Sequence, residues 1–385
     1  MNIDKNLLNQ NFKIDRIIDY QEFIKNSYLK KFENSGYLKI QPVDIASDYD
    51  KSTIFIGSSI STFKPLLEKN DIPESGAIVV QQCLRIQNKK SIYNDEIIPE
   101  YNSYFNIIGG IAQVNKIEDA CEQFTNYLCN DLNIDPTRIT IKINTDDTDL
   151  MQGIKNLHNI KIEENTRESK YYKWAYGMEG VVGRGLTYAI KNLHSGKEED
   201  VGNIIVMGRN DKPIALQWGF GIETMLCRIF GKKYPIESSV IHQACSPEIE
   251  AMIKFQDLFA VALETFISGV EPGVHSTGCE QRDYLKGLSY LRRVSNISIE
   301  SMKECGYRYL KLRNISDEGV VEKIIKYVTQ HEKMVGQFKE MILELRKKFN
   351  QDDILKILDD PEKKVAWTRE YRVNILEMKK IILSI

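Results

Sequence analysis

Two stretches of the sequence place a single arginine and an aromatic residue on either side of a polar loop. Residues 80–87 (VQQCLRIQ) form an apolar run that leads to Arg85, and residues 104–110 (YFNIIGG) resume the apolar pattern after the loop. A guanidinium can bind a phosphate through two parallel hydrogen bonds, and an aromatic ring can stack on a base. A strand-loop-strand hairpin of this kind suits a nucleotide. An arginine at a strand end is also typical of a surface ion pair, which contributes about 0–1 kcal/mol.

Two further stretches are rich in glycine. Residues 171–190 (YYKWAYGMEGVVGRGLTYAI) contain four glycines, which let the backbone approach a ligand closely. Residues 217–231 (QWGFGIETMLCRIFG) turn through Gly219 and Gly221 into a helix, and a helix start behind glycines suits an anion. The same pattern is found in any tight strand-to-helix turn. Neither stretch is a GxGxxG motif after a strand or a P-loop with its lysine, so dinucleotide and Walker-type sites are excluded.

Short β-branched or apolar runs separated by polar turns dominate the sequence from residue 37 to about residue 230 and predict strands. Apolar residues at the helical period predict helices at about 14–34 and at 117–132. Sequential strands without regular alternation of strand and helix favour an antiparallel α+β sheet over a doubly wound parallel sheet. The predicted strands are residues 52–56, 76–84, 104–111, 138–143, 202–207 and 213–218.

Strand patterns stop after about residue 245, and helical patterns follow. We place the boundary within residues 236–248, which predicts an α+β domain at 1–240 and an all-helical domain at 241–385. The predicted helices are 247–269, 281–294 and 320–349, followed by shorter ones within 352–385 that Pro361 interrupts.

The charges of the chain nearly cancel, with 52 Lys and Arg against 54 Asp and Glu in 385 residues. A net charge of −2 gives no chain-wide basic field for nucleic acid, although a local basic stripe is compatible with it. No run reaches 18 apolar residues and the amino terminus has no signal-peptide core, so we expect a soluble, cytoplasmic protein without a membrane segment. The seven cysteines include no CxxC pair, which predicts reduced thiols rather than zinc or disulfide frameworks.

In their order along the chain, these stretches resemble the catalytic core of class II aminoacyl-tRNA synthetases, and most of all the alanyl-tRNA synthetase family. Phe55 and the pair Phe63-Lys64 resemble the family's first motif, and QQCLR resembles its QRCVR. The tryptophan-glycine run repeats the family's W-x-x-G-x-x-G-x-x-G spacing, NIIVM resembles its NIVFM, and GFGIE resembles its GMGLE. The resemblance spans roughly residues 30–230 and continues faintly at 269–293.

The resemblance implies a catalytic domain at 1–240 that uses ATP and Mg²⁺ to activate an amino acid as an aminoacyl-adenylate. It implies that Arg85 is catalytic and binds the α-phosphate of ATP, and that Phe105 stacks on adenine. It assigns no metal to protein ligands. The expected ATP-binding residues are Arg85, Phe105, Gly219, Gly221, Glu223 and Arg228, and the expected amino-acid pocket consists of Trp174, Glu179, Val206, Gln217 and Gly219.

The sequence departs from the family where the family carries charge. Thr224 stands in place of the arginine that meets the γ-phosphate, and Arg228, one helical turn further on, is expected to substitute for it in part. Gln217 stands in place of the aspartate that holds the substrate ammonium, and Asn106 in place of a glutamate. Glu179 then offers another carboxylate for the ammonium. Because the sequence ends before the family's editing and oligomerisation regions, we expect a shorter, stand-alone relative.

Two functions are compatible with these features. The first is an AMP-forming ligase that transfers the activated acyl group to tRNA, to a carrier protein or to a small amine. The second is a non-catalytic synthetase paralogue that acts as a binding or regulatory module, which Thr224 and Gln217 favour. A homodimer is compatible with both. A basic face of the helical domain is either an RNA contact or a solvated helix face, and its residues are Arg282, Lys286, Arg292 and Arg293.

Overall fold

The computed structural model describes residues 17–210, 212–250 and 252–385. These residues divide into two compact units. The first contains the described residues up to Arg85 and those from Glu100 to Gln243, and the second contains Ile86–Pro99 and the described residues from Ala244 to Ile385. The chain passes from the first unit to the second between Gln243 and Ala244, and the second unit also includes the earlier segment Ile86–Pro99. The expectations for residues 1–16 lie outside the described residues.

The described strands of the first unit form one mixed, largely antiparallel sheet. Its order is β1-β2-β3-β9-β8-β7-β4-β5, with β6 paired to β7, and the pairs β1–β2 and β4–β5 are parallel. The predicted α+β class with an antiparallel sheet flanked by helices is confirmed. The strands are β1 (Leu38–Lys39), β2 (Ala77–Leu84), β3 (Tyr104–Ala112), β4 (Ile139–Ile143), β5 (Lys161–Glu164), β6 (Lys173–Ala175), β7 (Val181–Lys191), β8 (Glu198–Arg209) and β9 (Lys212–Gly221).

Helices of the first unit cover the two faces of this sheet unequally. Apolar side chains of α1, α3 and α5 pack on the face that carries Ile108, Val206 and Trp218, which we call the core face. A smaller apolar cluster around α2 covers part of the opposite face. That opposite face carries Phe105 and Gln217 because neighbouring strand residues point to opposite sides, and we call it the site face. The helices are α1 (Ile17–Asn34), α2 (Ile60–Lys69), α3 (Ile117–Asn126), α4 (Thr148–Ile154), α5 (Ile222–Ile229) and α6 (Val240–Ala244).

A chain of hydrogen bonds fixes α1 to the two strands at the centre of the site. The indole nitrogen of Trp218 donates to the hydroxyl of Tyr28 at 2.9 Å, and that hydroxyl donates to the carbonyl of Gly109 at 2.9 Å. The Trp218 ring occupies the space that a side chain at Gly110 would need, since an added Cβ would lie 2.1 Å from it. The core therefore fixes β3 against β9.

The predicted strands are present except for residues 52–56. This segment forms turns because the carboxylate of Asp50 accepts hydrogen bonds from the amide and the hydroxyl of Ser52 at 3.1 and 2.8 Å. Such local bonds compete with strand pairing. Phe55 and Ile56 are nevertheless buried, so apolar character indicated burial here and not strand structure.

The second unit consists mainly of helices, as predicted. The pattern at 247–269 is divided into two helices, and Pro361 occupies the first turn of a new helix whose preceding Asp360 side chain accepts from the amide of Lys363 at 3.0 Å. In the described part of the chain, no helix is long and apolar enough to cross a membrane. The helices are α7 (Pro247–Glu250), α8 (Ile253–Ile267), α9 (Ser276–Val294), α10 (Ile299–Leu312), α11 (Gly319–Arg346), α12 (Gln351–Asp359), α13 (Pro361–Tyr371) and α14 (Ile375–Ser384).

The loop between β2 and β3 supplies the segment Ile86–Pro99 to the second unit, which the sequence did not predict. Lys89 forms ion pairs with Glu280 at 2.8 Å and Asp283 at 2.9 Å. Ile92 is buried against Gly287, where an added Cβ would lie 2.8 Å from the Ile92 side chain. The residues that follow Arg85 are thus packed into the helical unit.

Candidate functional site

Arg85 and Phe105 lie together at one end of the site face. The predicted hairpin is present, with Cys83 opposite Phe105 in the β2–β3 ladder. The guanidinium carbon of Arg85 lies 4.9 Å from the centre of the Phe105 ring, and its Nε donates to the carbonyl of Gly57 at 2.7 Å. Arg85 is exposed and Phe105 is half-buried. The hairpin therefore presents a cation stacked on an aromatic ring at the surface of the first unit.

Glycines form the floor of the site face beside this pair. Gly109 of β3 lies opposite Gly219 of β9, and Gly221 lies opposite Ile107. An added Cβ on Gly109 would lie 2.2 Å from the hydroxyl of Ser59, and one on Gly219 would lie 2.9 Å from the Ile107 side chain. The absence of side chains lets the loop before α2 reach the sheet. The Ser59 hydroxyl is buried and has no hydrogen-bond partner in the described part of the chain.

Glu223 does not join the ATP-binding residues predicted from the sequence. Its buried carboxylate accepts from the backbone amide of Asn106 at 2.9 Å and from the Asn106 side chain at 2.7 Å. Asn106 alternates with Phe105 along β3 and points to the core face, so the carboxylate lies on the side of the sheet away from the Phe105 ring. Burial raises the pKa of Glu223, which the Asn106 hydrogen bonds oppose. We assign Glu223 to fixing α5 on β3, and the predicted contact with ATP is corrected accordingly.

Arg228 is held by a carboxylate from the neighbouring strand. Its Nε lies 2.8 Å from the carboxylate of Glu199 in an ion pair. That carboxylate accepts hydrogen bonds from the Ser195 hydroxyl at 2.6 Å and from the Asn192 side chain at 3.0 Å. Arg228 lines a cavity of about 320 Å³ whose lining includes neither Arg85 nor Phe105. Arg228, which was expected to substitute in part for the arginine missing at Thr224, thus lines a cavity to which Arg85 and Phe105 do not contribute.

This cavity is lined by four basic and four acidic side chains, so their formal charges cancel. Asp200 accepts from the ammonium of Lys142 at 2.7 Å and from the hydroxyl of Tyr171 at 2.7 Å. The side chain of Lys142 is only 2% exposed, and burial raises the pKa of Tyr171. Sequence reasoning missed these residues, although the lysine in the buried run ITIKI was a detectable signal. The charged residues of the lining are Glu100, Lys142, Arg167, Glu198, Glu199, Asp200, Arg228 and Lys233.

The tryptophan-glycine run meets Gln217 through a tyrosine. Trp174 of β6 lies opposite Gly183 of β7, and a Cβ on Gly183 would lie 2.8 Å from the Tyr176 ring. The Tyr176 hydroxyl donates to the side-chain oxygen of Gln217 at 3.4 Å, and the Gln217 amide nitrogen donates to the carbonyl of Trp218 at 2.7 Å. Burial raises the pKa of Tyr176. Tyr176 is therefore a site residue that the sequence did not single out.

Two predicted pocket residues do not lie with this group. Val206 is buried on the core face of the sheet together with Trp218. Gln217 lies on the opposite face, the site face. The run NIIVM is apolar at every position but the first, so its pattern could not show which face Val206 occupies. Glu179 is exposed between Gly177 and Gly180, which have φ values of 66° and 68°. Its carboxylate is not part of the half-buried contact between Tyr176 and Gln217.

Lys64, which the sequence resemblance matches to the first motif, forms a buried ion pair next to the tryptophan-glycine run. Its ammonium lies 2.7 Å from Asp50 and donates to Ser52 at 2.6 Å. Burial by itself raises the pKa of Asp50, but hydrogen bonds from Lys64, Ser61 and Ser52 lower it below its ordinary value. An added Cβ on Gly177 would lie 3.0 Å from the Ser52 hydroxyl. The ion pair therefore supports the loop that carries Glu179.

The four RNA-contact candidates of the helical unit divide into two pairs. Arg292 makes a two-bond ion pair with Glu332 at 2.6 Å, and Arg293 pairs with the buried Glu377. These two arginines stabilise the helical unit and are withdrawn as contact candidates, because binding RNA would break their ion pairs. Arg282 and Lys286 stay candidates. Burial and the nearby charge of Arg282 lower the pKa of Lys286.

The described residues contain no group of three or more His, Cys, Asp or Glu arranged to hold a metal ion.

No protein-family model matches the chain. Solved structures similar to it are class II aminoacyl-tRNA synthetases. An Entamoeba histolytica asparaginyl-tRNA synthetase in complex with asparaginyl-adenylate is 10% identical, with 59% of this chain and 66% of that chain covered at a TM-score of 0.39. A histidyl-tRNA synthetase from S. aureus is 9% identical, with 60% and 74% covered and a TM-score of 0.38. A putative threonyl-tRNA synthetase from Aeropyrum pernix is 13% identical, with 66% and 70% covered and a TM-score of 0.36.

Proposed function

We propose that this protein activates an amino acid with ATP and transfers the activated acyl group to an acceptor, as an alanyl-tRNA synthetase-like ligase. The observation that carries the proposal is the placement of Arg85 over Phe105 at the end of a glycine-floored sheet face. A guanidinium suits a phosphate group, and an adjacent ring suits a base. These are the two parts of ATP that an adenylating enzyme must hold.

In the proposed reaction, the carboxylate of the amino acid attacks the α-phosphorus of ATP and pyrophosphate leaves. Arg85 would stabilise the negative charge that develops on the α-phosphate oxygens. Catalysis of this kind depends mainly on positioning and electrostatics. Mg²⁺ would arrive with ATP as its counter-ion.

We propose that the amino-acid end of the substrate lies at Gln217 and Tyr176. The side-chain oxygen of Gln217 can accept a hydrogen bond from an ammonium, but it supplies no negative charge. Gly219, two residues further along the same face of β9, is half-buried and pairs with Asn203, and Trp174 lies opposite Gly183 of the tryptophan-glycine run. Alanine is the first amino acid to test, because the sequence resemblance points to it.

The test is amino-acid-dependent exchange of labelled pyrophosphate into ATP over the twenty standard amino acids. We expect exchange with at least one of them. Loss of one electrostatic contact to the transition state typically costs on the order of 10²–10³ in rate. Arg85→Ala should therefore lower exchange by that factor, and Arg85→Lys by less. Arg369→Ala changes an exposed arginine of α13 and serves as the matched control. Absence of exchange with every amino acid, in a protein that is folded, would refute the ligase.

A specific observation favours the second function, a non-catalytic binding module. Thr224 supplies no charge, and Arg228 is occupied by Glu199. Calorimetry distinguishes the two functions, because a module of this kind would bind ATP or an amino acid without any exchange. Binding that Arg85→Ala leaves unchanged would also show that the phosphate site is not at Arg85.

The acceptor is proposed to be tRNA, a carrier-protein thiol or a small amine. The protein is incubated with ATP, a labelled amino acid and one candidate acceptor at a time, and the acceptor that becomes labelled is identified. Transfer to tRNA should be weakened by Arg282→Ala and by Lys286→Ala, whereas transfer to a small amine should not. Sedimentation at several concentrations tests the proposed homodimer.

A further inference from the structure

Two cysteines that are distant in sequence meet inside the helical unit. The sulfur atoms of Cys245 and Cys305 lie 3.0 Å apart, although 60 positions separate the residues. Cys245 is 5% exposed and Cys305 is 1% exposed. A disulfide has a sulfur–sulfur bond of about 2.03–2.05 Å, so the two thiols lie roughly 1 Å beyond bonding distance. Neither residue has a part in the proposed adenylation.

Packing around both residues restricts their separation. Cys305 lies in the middle of α10 on its buried face, and the next residue, Gly306, packs closely on α11, where an added Cβ would lie 2.8 Å from Val321. Cys245 directly follows the buried Ala244 at the end of α6. The sulfur atoms are therefore brought together by the fold and do not need a covalent bond to meet.

We propose that Cys245 and Cys305 form a reversible disulfide when the protein meets hydrogen peroxide. The thiolate of one cysteine attacks the peroxide oxygen, which gives a sulfenic acid and releases hydroxide that takes up a proton as water. The thiolate of the other cysteine then displaces the sulfenic hydroxyl, which leaves as a second water after protonation. In total, two thiols lose two electrons and two protons to one peroxide, giving one disulfide and two waters.

The burial of the pair determines the oxidant and the order of the steps. A small oxidant such as peroxide reaches a sulfur that is a few per cent exposed more readily than a bulky disulfide does. Cys245 is the more accessible of the two, so it is the first to be oxidised, and Cys305 resolves the sulfenic acid. The adjacent partner prevents further oxidation of Cys245 because the disulfide forms before a second peroxide arrives.

The test is peroxide treatment of the full chain, followed by alkylation under denaturing conditions and peptide mass spectrometry. We expect the alkylatable cysteines to fall from seven to five, with Cys245 and Cys305 recovered as one linked peptide pair about 2 Da lighter than the two thiol peptides. Dithiothreitol should restore both. Oxidation should also raise the unfolding temperature of the helical unit, because the disulfide closes a long loop in the unfolded chain.

Two variants separate this proposal from general oxidation. Cys245→Ser should abolish the linked pair, whereas Cys279→Ser removes a half-buried cysteine outside the pair and should leave it intact. The proposal is wrong if the wild-type protein retains both thiols after treatment. It is also wrong if Cys245 is carried to sulfinic acid without linkage to Cys305. The wild-type peptide map decides the matter even where a variant does not fold.

Discussion

The close approach of Ser59 to Gly109 gives the sharpest test of the site architecture. In Gly109→Ala, the new methyl group would lie 2.2 Å from the Ser59 hydroxyl and 2.4 Å from its Cβ, and 3.2 Å from the carbonyl of Trp218. Ordinary contacts between non-bonded heavy atoms are about 3.5–4.0 Å, so Ser59 or the strand has to move by more than 1 Å. Gly109 is paired with Val79 on one side and Gly219 on the other, which prevents the strand from retreating.

The magnitude follows from these contacts. Overpacking of this kind costs about 1–3 kcal/mol, and the paired backbone places Gly109→Ala at the upper end. The smaller entropy of alanine in the unfolded chain returns about 0.4–1 kcal/mol. We therefore expect a net loss of about 2 kcal/mol in the free energy of unfolding. Ser59→Gly removes both the obstacle and an unpartnered buried hydroxyl, so it should be close to neutral alone and should rescue Gly109→Ala.

The assay is a double-mutant cycle of urea unfolding, monitored by tryptophan fluorescence, since Trp218 is buried beside Gly110. A coupling energy of about 2 kcal/mol is expected, within the range found for residues in direct contact. Gly336→Ala is the matched control, because an added Cβ there meets no atom within 4 Å. Additive effects of Ser59→Gly and Gly109→Ala would refute the proposed contact between the loop before α2 and the glycine floor.

Three further predictions concern residues outside this contact. Burial, reinforced by the charges of Arg293 and Lys286, lowers the pKa of His331 to about 3. The unfolded chain binds the proton below about pH 6.5. The free energy of unfolding should therefore fall, by up to about 4 kcal/mol, as the pH drops from about 6.5 toward 3. Urea unfolding of His331→Gln should show a smaller fall. Glu223→Gln should cost about 1–3 kcal/mol, because its amide would face the Asn106 donors, while calorimetry should find the Kd for ATP unchanged. Gly336→Ala should raise the unfolding temperature slightly, since alanine is favoured over glycine in a helix by about 1 kcal/mol.

The hairpin of the candidate site could be predicted from sequence because local pattern determines it. Alternation of side chains fixes the β2–β3 register, and this places Arg85 next to Phe105 without any knowledge of the rest of the fold. Val206 was placed wrongly because an apolar run buried on both sides carries no alternation. Glu223 was placed wrongly because a sequence shows a carboxylate but not its burial, which here depends on the distant Asn106.

Long-range packing accounts for the rest of what the sequence did not predict. The segment Ile86–Pro99 reads as a polar loop, yet it belongs to the helical unit through the ion pairs of Lys89 and the burial of Ile92. Likewise, Arg292 and Arg293 read as an exposed basic face because their partners, Glu332 and Glu377, lie 40 and 84 positions away. Charge at helical spacing indicates a face but does not show which charges are already paired.

The pairing of charges also explains why the proposed chemistry depends so strongly on one residue. Arg228 and Lys142 each lie within 2.8 Å of a carboxylate, and a phosphate that took either cation would leave that carboxylate without its partner. Breaking a pair of this kind costs more than the new contact returns when the remaining charge stays partly buried. Arg85 is instead exposed at the end of the hairpin, where its Nε donates to the carbonyl of Gly57 and its guanidinium lies over the Phe105 ring. A nucleotide on this sheet is therefore expected to engage Arg85 first, and the two buried cations are expected to retain their carboxylates.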